Sequence, residues 1–195
     1  MEIPTLNTRR LTLRGFVPDD LDRLAEMLGH PEVMRYMPGG KPLPREKAEA
    51  TLRNILNHWE KHGFGWWAVV DNADGQLMGW CGLGIVDELS ETEVAYLFDR
   101  PYWGKGIATE AAHASVTYGF EKLKLERIIA LAHRENGASR RVMEKIGFGY
   151  DKDLHLWGLD LVQYATTRET FTSLQFGHGL TATDTDIEPG RMQGA

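Results

Sequence analysis

A single cysteine, Cys81, excludes a disulfide within this chain. It lies in an apolar, glycine-rich stretch and reads as a small core residue rather than a nucleophile. Basic runs are missing, and 22 Lys and Arg against 28 Asp and Glu leave a net charge of −6. A nucleic-acid backbone is therefore not expected as the main partner. The acidic balance leans mildly towards a cationic acceptor such as a protonated amine, although a solvated acidic surface is its commoner meaning. No apolar run is long enough to span a membrane and no secretory signal is read, so the expected compartment is the cytoplasm. No internal repeat is present. What is there, 195 residues with 42% hydrophobic and 26% charged, suits one domain with a sizeable core.

The most informative stretch is Tyr102-Trp103-Gly104-Lys105-Gly106-Ile107-Ala108-Thr109-Glu110-Ala111. Upstream, Glu93 to Phe98 reads as a strand ended by Asp99-Arg100-Pro101. Downstream, Ala108, Ala112, Val116, Phe120 and Leu123 recur at helical spacing, which predicts a helix beginning near Thr109. A glycine-rich turn opening a helix leaves backbone N–H groups without partners, and the helix dipole favours an anion there. The stretch therefore reads as a phosphate or pyrophosphate cradle. It is not a P-loop, because the four-residue spacing and the Ser or Thr after Gly-Lys are missing. It is not the dinucleotide fingerprint either, since Thr109 stands where the third glycine belongs.

Written as Arg/Gln-x-x-Gly-x-Gly/Ala, this stretch resembles motif A of the GCN5-related N-acetyltransferases (GNAT). Trp103 stands at the Arg/Gln place, Gly106 at the glycine and Ala108 at the last position. Trp103 departs from the general pattern but fits the RimJ/RimL-like branch, which acetylates protein N-termini and small amines. A second stretch, Asn136-x-x-Ser139-x-x-Val142-x-x-x-Ile146-Gly147-Phe148, resembles the family's motif B. The resemblance covers roughly Thr8 to Phe171. It implies an α/β fold whose twisted, mostly antiparallel mixed sheet has about six to seven strands flanked by about four helices. Residues 1–175 would form the acetyltransferase domain, and 176–195, rich in Gly, Thr and Asp, read as a flexible tail.

The rest of the chain fits that frame. A first strand is expected over Arg10 to Val17 and a helix after Pro18-Asp19-Asp20, with Leu21, Leu24, Ala25 and Leu28 inward, stopped by Gly29 and Pro31. Glu32 to Pro44 reads as irregular. The resemblance makes Met34, Arg35, Tyr36 and Met37 candidate acceptor contacts; the alternative is a surface loop anchored at Met34 and Met37. A helix from Arg45 to about Lys61 turns Ala48, Leu52, Ile55 and Trp59 inward, and Gly63 closes it. Phe64 to Asp71 and Gln76 to Val86 form a hairpin, in which Gly79, Gly82 and Gly84 mark a bulge or a close approach. Core packing is expected for at least two of Trp66, Trp67 and Trp80. Glu126 to His133 is a further strand and Asn136 caps a helix. Phe148 to Trp157 and Leu159 to Arg168 are the last strands.

Acyl transfer to an amine needs a deprotonated amine, a held thioester, a donor for the developing oxyanion and help for the leaving thiolate. By resemblance, acetyl-CoA is the cofactor. Its pyrophosphate would rest on Trp103, Gly104, Lys105, Gly106, Ile107, Ala108 and Thr109. Its carbonyl would meet the backbone near Leu97 and Phe98, where the central strand splays. Asn136 would hold the pantetheine arm, with Ser139 near the sulfur. Ser139 falls on the buried face of its helix; it is either a core hydroxyl or the group that serves the thiolate. Glu93 is either an exposed strand residue or the general base; His133 is a weaker base candidate. No metal is called for.

The acceptor would be a small amine or a protein N-terminus, on a monomer or homodimer. An α-amine, titrating near ~7.7–8 against ~10.4 for lysine, is preferred because it asks less of the base. Two rival classes stand beside this one. The first is a non-catalytic acyl-CoA-binding module of the same fold. The second is a serine hydrolase pairing Ser139 with His113 or His133, for which the Gly-x-Ser-x-Gly elbow is missing.

Overall fold

Alternation at Leu11-Thr12-Leu13-Arg14 places Leu11 and Leu13, both fully buried, on one face of a strand. This strand, β2 (Leu11–Arg14), carries a short partner, β1 (Leu6–Asn7), which has too few residues to show a period. In the computed structural model, which describes residues 2–171, these two begin a sheet of eight strands. The others are β3 (Trp66–Asp71), β4 (Leu77–Val86), β5 (Glu91–Phe98), β6 (Arg127–His133), β7 (Gly149–Leu156) and β8 (Leu159–Thr167). Their order is β1-β2-β3-β4-β5-β6-β8-β7, and every neighbouring pair is antiparallel except β5 and β6. The count exceeds the expected six to seven chiefly because of β1. The expected tail at 176–195 lies outside the described residues.

Among the described residues, four helices of eight residues or more flank the sheet: α1 (Leu21–Leu28), α3 (Arg45–His62), α4 (Ile107–Glu121) and α5 (Gly137–Lys145). A single-turn helix, α2 (Pro31–Met34), occupies part of the segment expected to be irregular. Pro31, read as a stop, opens α2, where its missing N–H costs nothing. In α3, Ala48, Leu52, Ile55 and Trp59 are buried as their spacing requires, and Gly63 ends it in the left-handed region at φ 75°. Helix α4 starts two residues before the expected Thr109. It is buried on nearly every side, so no stripe marks its first turn. No helix among the described residues is long and apolar enough to cross a membrane.

The parallel pair β5–β6 is held at one register position only, Glu93 opposite Ile129. Beyond it β5 stays with β4 as far as Phe98 opposite Gly79 and leaves β6. The sheet therefore splits towards the end of β5 that leads into the glycine-rich turn. Strand alternation gives the split two sides. Val94, Tyr96 and Cys81 face α4, where Cys81 Sγ lies 3.4 Å from Ser115 Oγ. Glu93, Leu97 and Trp80 face the other way. Trp67 is fully buried, while Trp66 and Trp80 pack against the core only in part. The hairpin glycines mark both a bulge and a close backbone approach: register shifts between Val69 and Val70 beside Gly79, and a Cβ at Gly82 would lie 2.2 Å from Gly65 O.

Candidate active site

A cavity of about 610 Å³ occupies the split. On its α4 side it is lined by Trp103, Gly104, Gly106, Ile107, Ala108 and Thr109, with Leu97 and Phe98 at the end of β5. Asn136 and Ser139 reach it from the start of α5, and Glu93, Arg35 and Tyr36 from the opposite face. Two predicted residues stand elsewhere. Lys105 lies in a neighbouring pocket with Arg9 and Arg10, its side chain exposed. Met34 is 3% exposed in the core, because it ends the one-turn helix α2 facing inward; Met37 lines the cavity instead.

The turn before α4 leaves backbone N–H groups open at the cavity. Gly106 is its N-cap at φ 78° and ψ 5°, and the helix bond nearest it runs from Glu110 N to Gly106 O at 3.1 Å. The N–H groups ahead of Glu110 thus have no partner within the helix. Trp103 explains its departure from the usual Arg or Gln: its indole N–H donates to Phe98 O at 2.7 Å and ties the turn to β5.

A carboxylate in the first turn of α4 would repel a bound phosphate, yet Glu110 is there. Three bonds hold it: Thr8 Oγ1 at 2.7 Å, Arg10 N at 2.9 Å and Arg10 Nε at 2.6 Å. Arg10 also donates from Nη1 to Lys105 O at 2.9 Å, so one guanidinium fixes both the helix start and the turn. Burial works against the Glu110 charge, but the bonds from Thr8 and Arg10 prevail and hold its carboxyl below the ordinary value. Glu110→Gln is expected to destabilise the fold by about 1–3 kcal/mol, a fall of several degrees in melting temperature. The difference from wild type should be full at neutral pH. It should shrink as pH falls from the ordinary carboxylate value through the depressed one, which a melting series from pH 3 to 7 would show.

Glu93 is not an exposed strand residue. Its carboxylate faces the cavity, accepting one bond from Leu131 N at 3.2 Å. Burial is the larger influence and pushes its pKa up to about 8, against the partial relief of that bond. The carboxyl is therefore poised to exchange a proton near neutral pH. His133 also lines the cavity, its Nδ1 accepting from Glu135 N at 3.2 Å and its ring 5.3 Å from that of Tyr36. Cys81 is fully buried and its thiol is pushed up to about 12 by that burial, as suits an inert core residue.

Ser139 is half-buried at the cavity, and Asn136 Oδ1 caps α5 by accepting from Ser139 N at 3.1 Å. The Asn136 amide nitrogen remains the group able to donate to a ligand. The sequence reading passed over Tyr96, whose hydroxyl lies 3.0 Å from Ser139 Oγ and donates to Ser139 O at 3.1 Å. Burial keeps this phenol protonated by raising its pKa. Strand alternation already puts Tyr96 on the face opposite Glu93, but nothing local says that α5 meets it there. Ser139 thus meets a phenol where a hydrolase needs an imidazole.

Among known proteins, the sequence profile described as "Acetyltransferase (GNAT) domain" matches residues 10–149. The protein YkkB of Bacillus subtilis is 34% identical over 162 residues, spanning 82% of this chain and 93% of YkkB. The FsC-acetyl coenzyme A-N(2)-transacetylase of Aspergillus fumigatus is 30% identical over 189 residues, 88% of this chain and 80% of its own. The crystal structure of the GNAT-family acetyltransferase from Bacillus anthracis superposes with a TM-score of 0.74 at 28% identity, covering 85% of this chain and 99% of that one. With the profile matched over most of its length and the same fold around a split sheet, the chain belongs to the GNAT acetyltransferases.

Proposed function

We propose that this enzyme moves an acetyl group from acetyl-CoA to a primary α-amine, on a small amino compound or a protein N-terminus, as a cytoplasmic, RimJ/RimL-like member of its family. The observation that carries this reading is the meeting, in one cavity, of a half-buried carboxylate and a glycine-rich helix start on either side of a split sheet. The name of the Aspergillus relative gives acetyl-CoA as that protein's donor, and the residues here suit the same group. The N–H groups between Trp103 and Thr109 would take the pyrophosphate, and Asn136 Nδ2 the pantetheine arm. When bound, acetyl-CoA supplies the acetyl group as a thioester.

The chain's own residues then have distinct tasks. Glu93, in its ionised form, takes the proton from the acceptor ammonium. A base near 8 is matched to an α-amine near ~7.7–8, and poorly matched to a lysine near ~10.4. Where β5 has left β6, the backbone N–H groups of Tyr96 and Phe98, which alternate to the side away from β4, would donate to the thioester carbonyl oxygen. Ser139 Oγ would donate a hydrogen bond to the sulfur as it leaves, and the Tyr96 hydroxyl, held protonated 3.0 Å from that oxygen and donating to Ser139 O, fixes Ser139 in place from behind.

The test is release of free CoA with a panel of α-amino amides, N-terminal peptides and lysine peptides blocked at their α-amines. α-Amines are expected to be acetylated well ahead of blocked lysine peptides; efficient transfer confined to the lysine ε-amine would sink the reading. In the same assay Ser139→Ala is expected to lower kcat by about 10- to 100-fold with the KM for acetyl-CoA nearly unchanged. Unaltered turnover would make Ser139 a helix-start hydroxyl and nothing more.

A further inference from the structure

The acceptor half of the cavity is poor in charges that are free to bind a substrate. Glu32, at its rim, accepts from Arg100 Nη1 at 2.9 Å, and the Arg35 guanidinium lies 5.1 Å from the centre of the Tyr36 ring. Apart from the Glu93 carboxylate that would meet the amine, and from Arg35 and His133, which both lie against the Tyr36 ring, what faces this half is apolar or aromatic: Trp80, Leu97, Leu159, Leu161, Tyr36 and Trp157.

Trp157 sits there at a local disadvantage. It and Gly158 form a two-residue turn between Leu156 and Leu159, with both central residues at positive φ, 53° and 74°. That is a type I′ turn, where Asn-Gly is favoured and a bulky aromatic at the first position is strained. Sheet register puts this turn beyond His133 at one end of β6, whereas the β4–β5 turn lies beyond Glu91 at the other. Yet Trp157 Nε1 donates to Glu88 Oε1 of the β4–β5 turn at 2.8 Å. Turns at opposite ends of a sheet meet only when both hairpins curl over one face. Trp157 lines the cavity, so the bridge passes over the acceptor half. A strained residue that bridges two hairpins over a site points to a role in that site.

We infer that the acceptor is a small primary amine bearing an aromatic or branched apolar group, packed between Trp80 and Trp157 with its amine at Glu93. This rests on the acetyltransferase reading above and narrows its acceptor. An apolar side chain buried in this chamber is expected to gain about 10- to 100-fold in kcat/KM over the same amine without it.

The experiment compares the amides of phenylalanine, leucine, glycine and aspartic acid as acceptors, in wild type and Trp157→Asn. That variant creates Asn-Gly, the favoured turn, so its melting temperature should equal or exceed that of wild type while the chamber loses a wall. Expected in wild type is a preference for the phenylalanine and leucine amides over the glycine amide of at least about 10-fold. In Trp157→Asn this preference should shrink to a few-fold, with the KM for acetyl-CoA unchanged. Equal or better use of the glycine or aspartic acid amide by wild type would overturn the inference and leave the acetyltransferase reading standing, as would a preference untouched in Trp157→Asn. Equilibrium binding of the same amides to the CoA-loaded protein separates the remaining outcomes. Selective binding of apolar amines without transfer keeps the chamber and removes the catalytic reading, whereas binding without selectivity overturns the chamber.

Discussion

Gly106→Glu is expected to abolish the rise in melting temperature that acetyl-CoA confers on the wild-type protein. Two effects act together. At φ 78° a side chain is forced into the left-handed region, at about 1–2 kcal/mol. The added carboxylate then stands at the N-cap of α4, where the dipole and unpaired N–H groups otherwise favour a phosphate. Wild type at 100 Kd of ligand should gain about 2.7 kcal/mol, several degrees for a chain of this size. The variant should gain almost nothing, and its KM for acetyl-CoA should rise by about 100-fold or more. Gly106→Ala separates the causes. Its Cβ would have ordinary contact with Arg10 Nη2 at 3.5 Å, so it carries the strain without the charge and should keep part of the stabilisation. Undiminished stabilisation of Gly106→Glu would move the cradle elsewhere.

Glu93→Gln is expected to lower kcat by about 10²- to 10⁴-fold while leaving the fold intact or more stable. As a base, Glu93 acts only when ionised, so wild-type kcat/KM should climb with pH through about 8 and then level off. The glutamine variant should lose that limb. Stability should move in the other direction. The folded-state pKa lies above the ordinary 4.5, so between these values the folded protein binds a proton that the unfolded chain has released. Wild-type stability attributable to Glu93 is thus full below about 4.5 and falls as pH rises to about 8. Glu93→Gln removes that fall, and its melting temperature relative to wild type should be highest at pH 8–9. A purely structural carboxylate would instead give a variant that is less stable and whose residual activity keeps the wild-type pH profile.

The two predictions draw on different kinds of information. Everything around Gly106 is contiguous: strand, turn, glycines and helix start follow one another between Glu93 and Phe120, so spacing alone disclosed a glycine-rich helix start. The same holds for Asn136 as a helix cap, and for the buried stripe of α3. Local pattern was weaker where burial is complete. Helix α4 is enclosed on nearly all sides, which hid its first turn, and β1 is too short for any period. Of the four residues that the resemblance put forward here, α2 turns Met34 into the core and leaves Arg35, Tyr36 and Met37 lining the cavity.

What only the tertiary structure decided is the state of the side chains that meet across the split. Glu93 stands on a strand beside three other acids, and nothing local distinguishes a solvated carboxylate from one lifted to about 8 by burial. Tyr96 finds Ser139 43 residues away, Trp157 finds Glu88 at 69 and Glu110 finds Arg10 at 100. Periodicity records which face a residue presents, whereas these contacts depend on where β5 parts from β6 and how far two hairpins curl. Those are properties of the packed sheet as a whole. The amino-acid sequence by itself thus determined the order of elements, the glycine-rich helix start and the resemblance to the family, and the packing of distant segments decided the state of Glu93 and which side chains share the cavity.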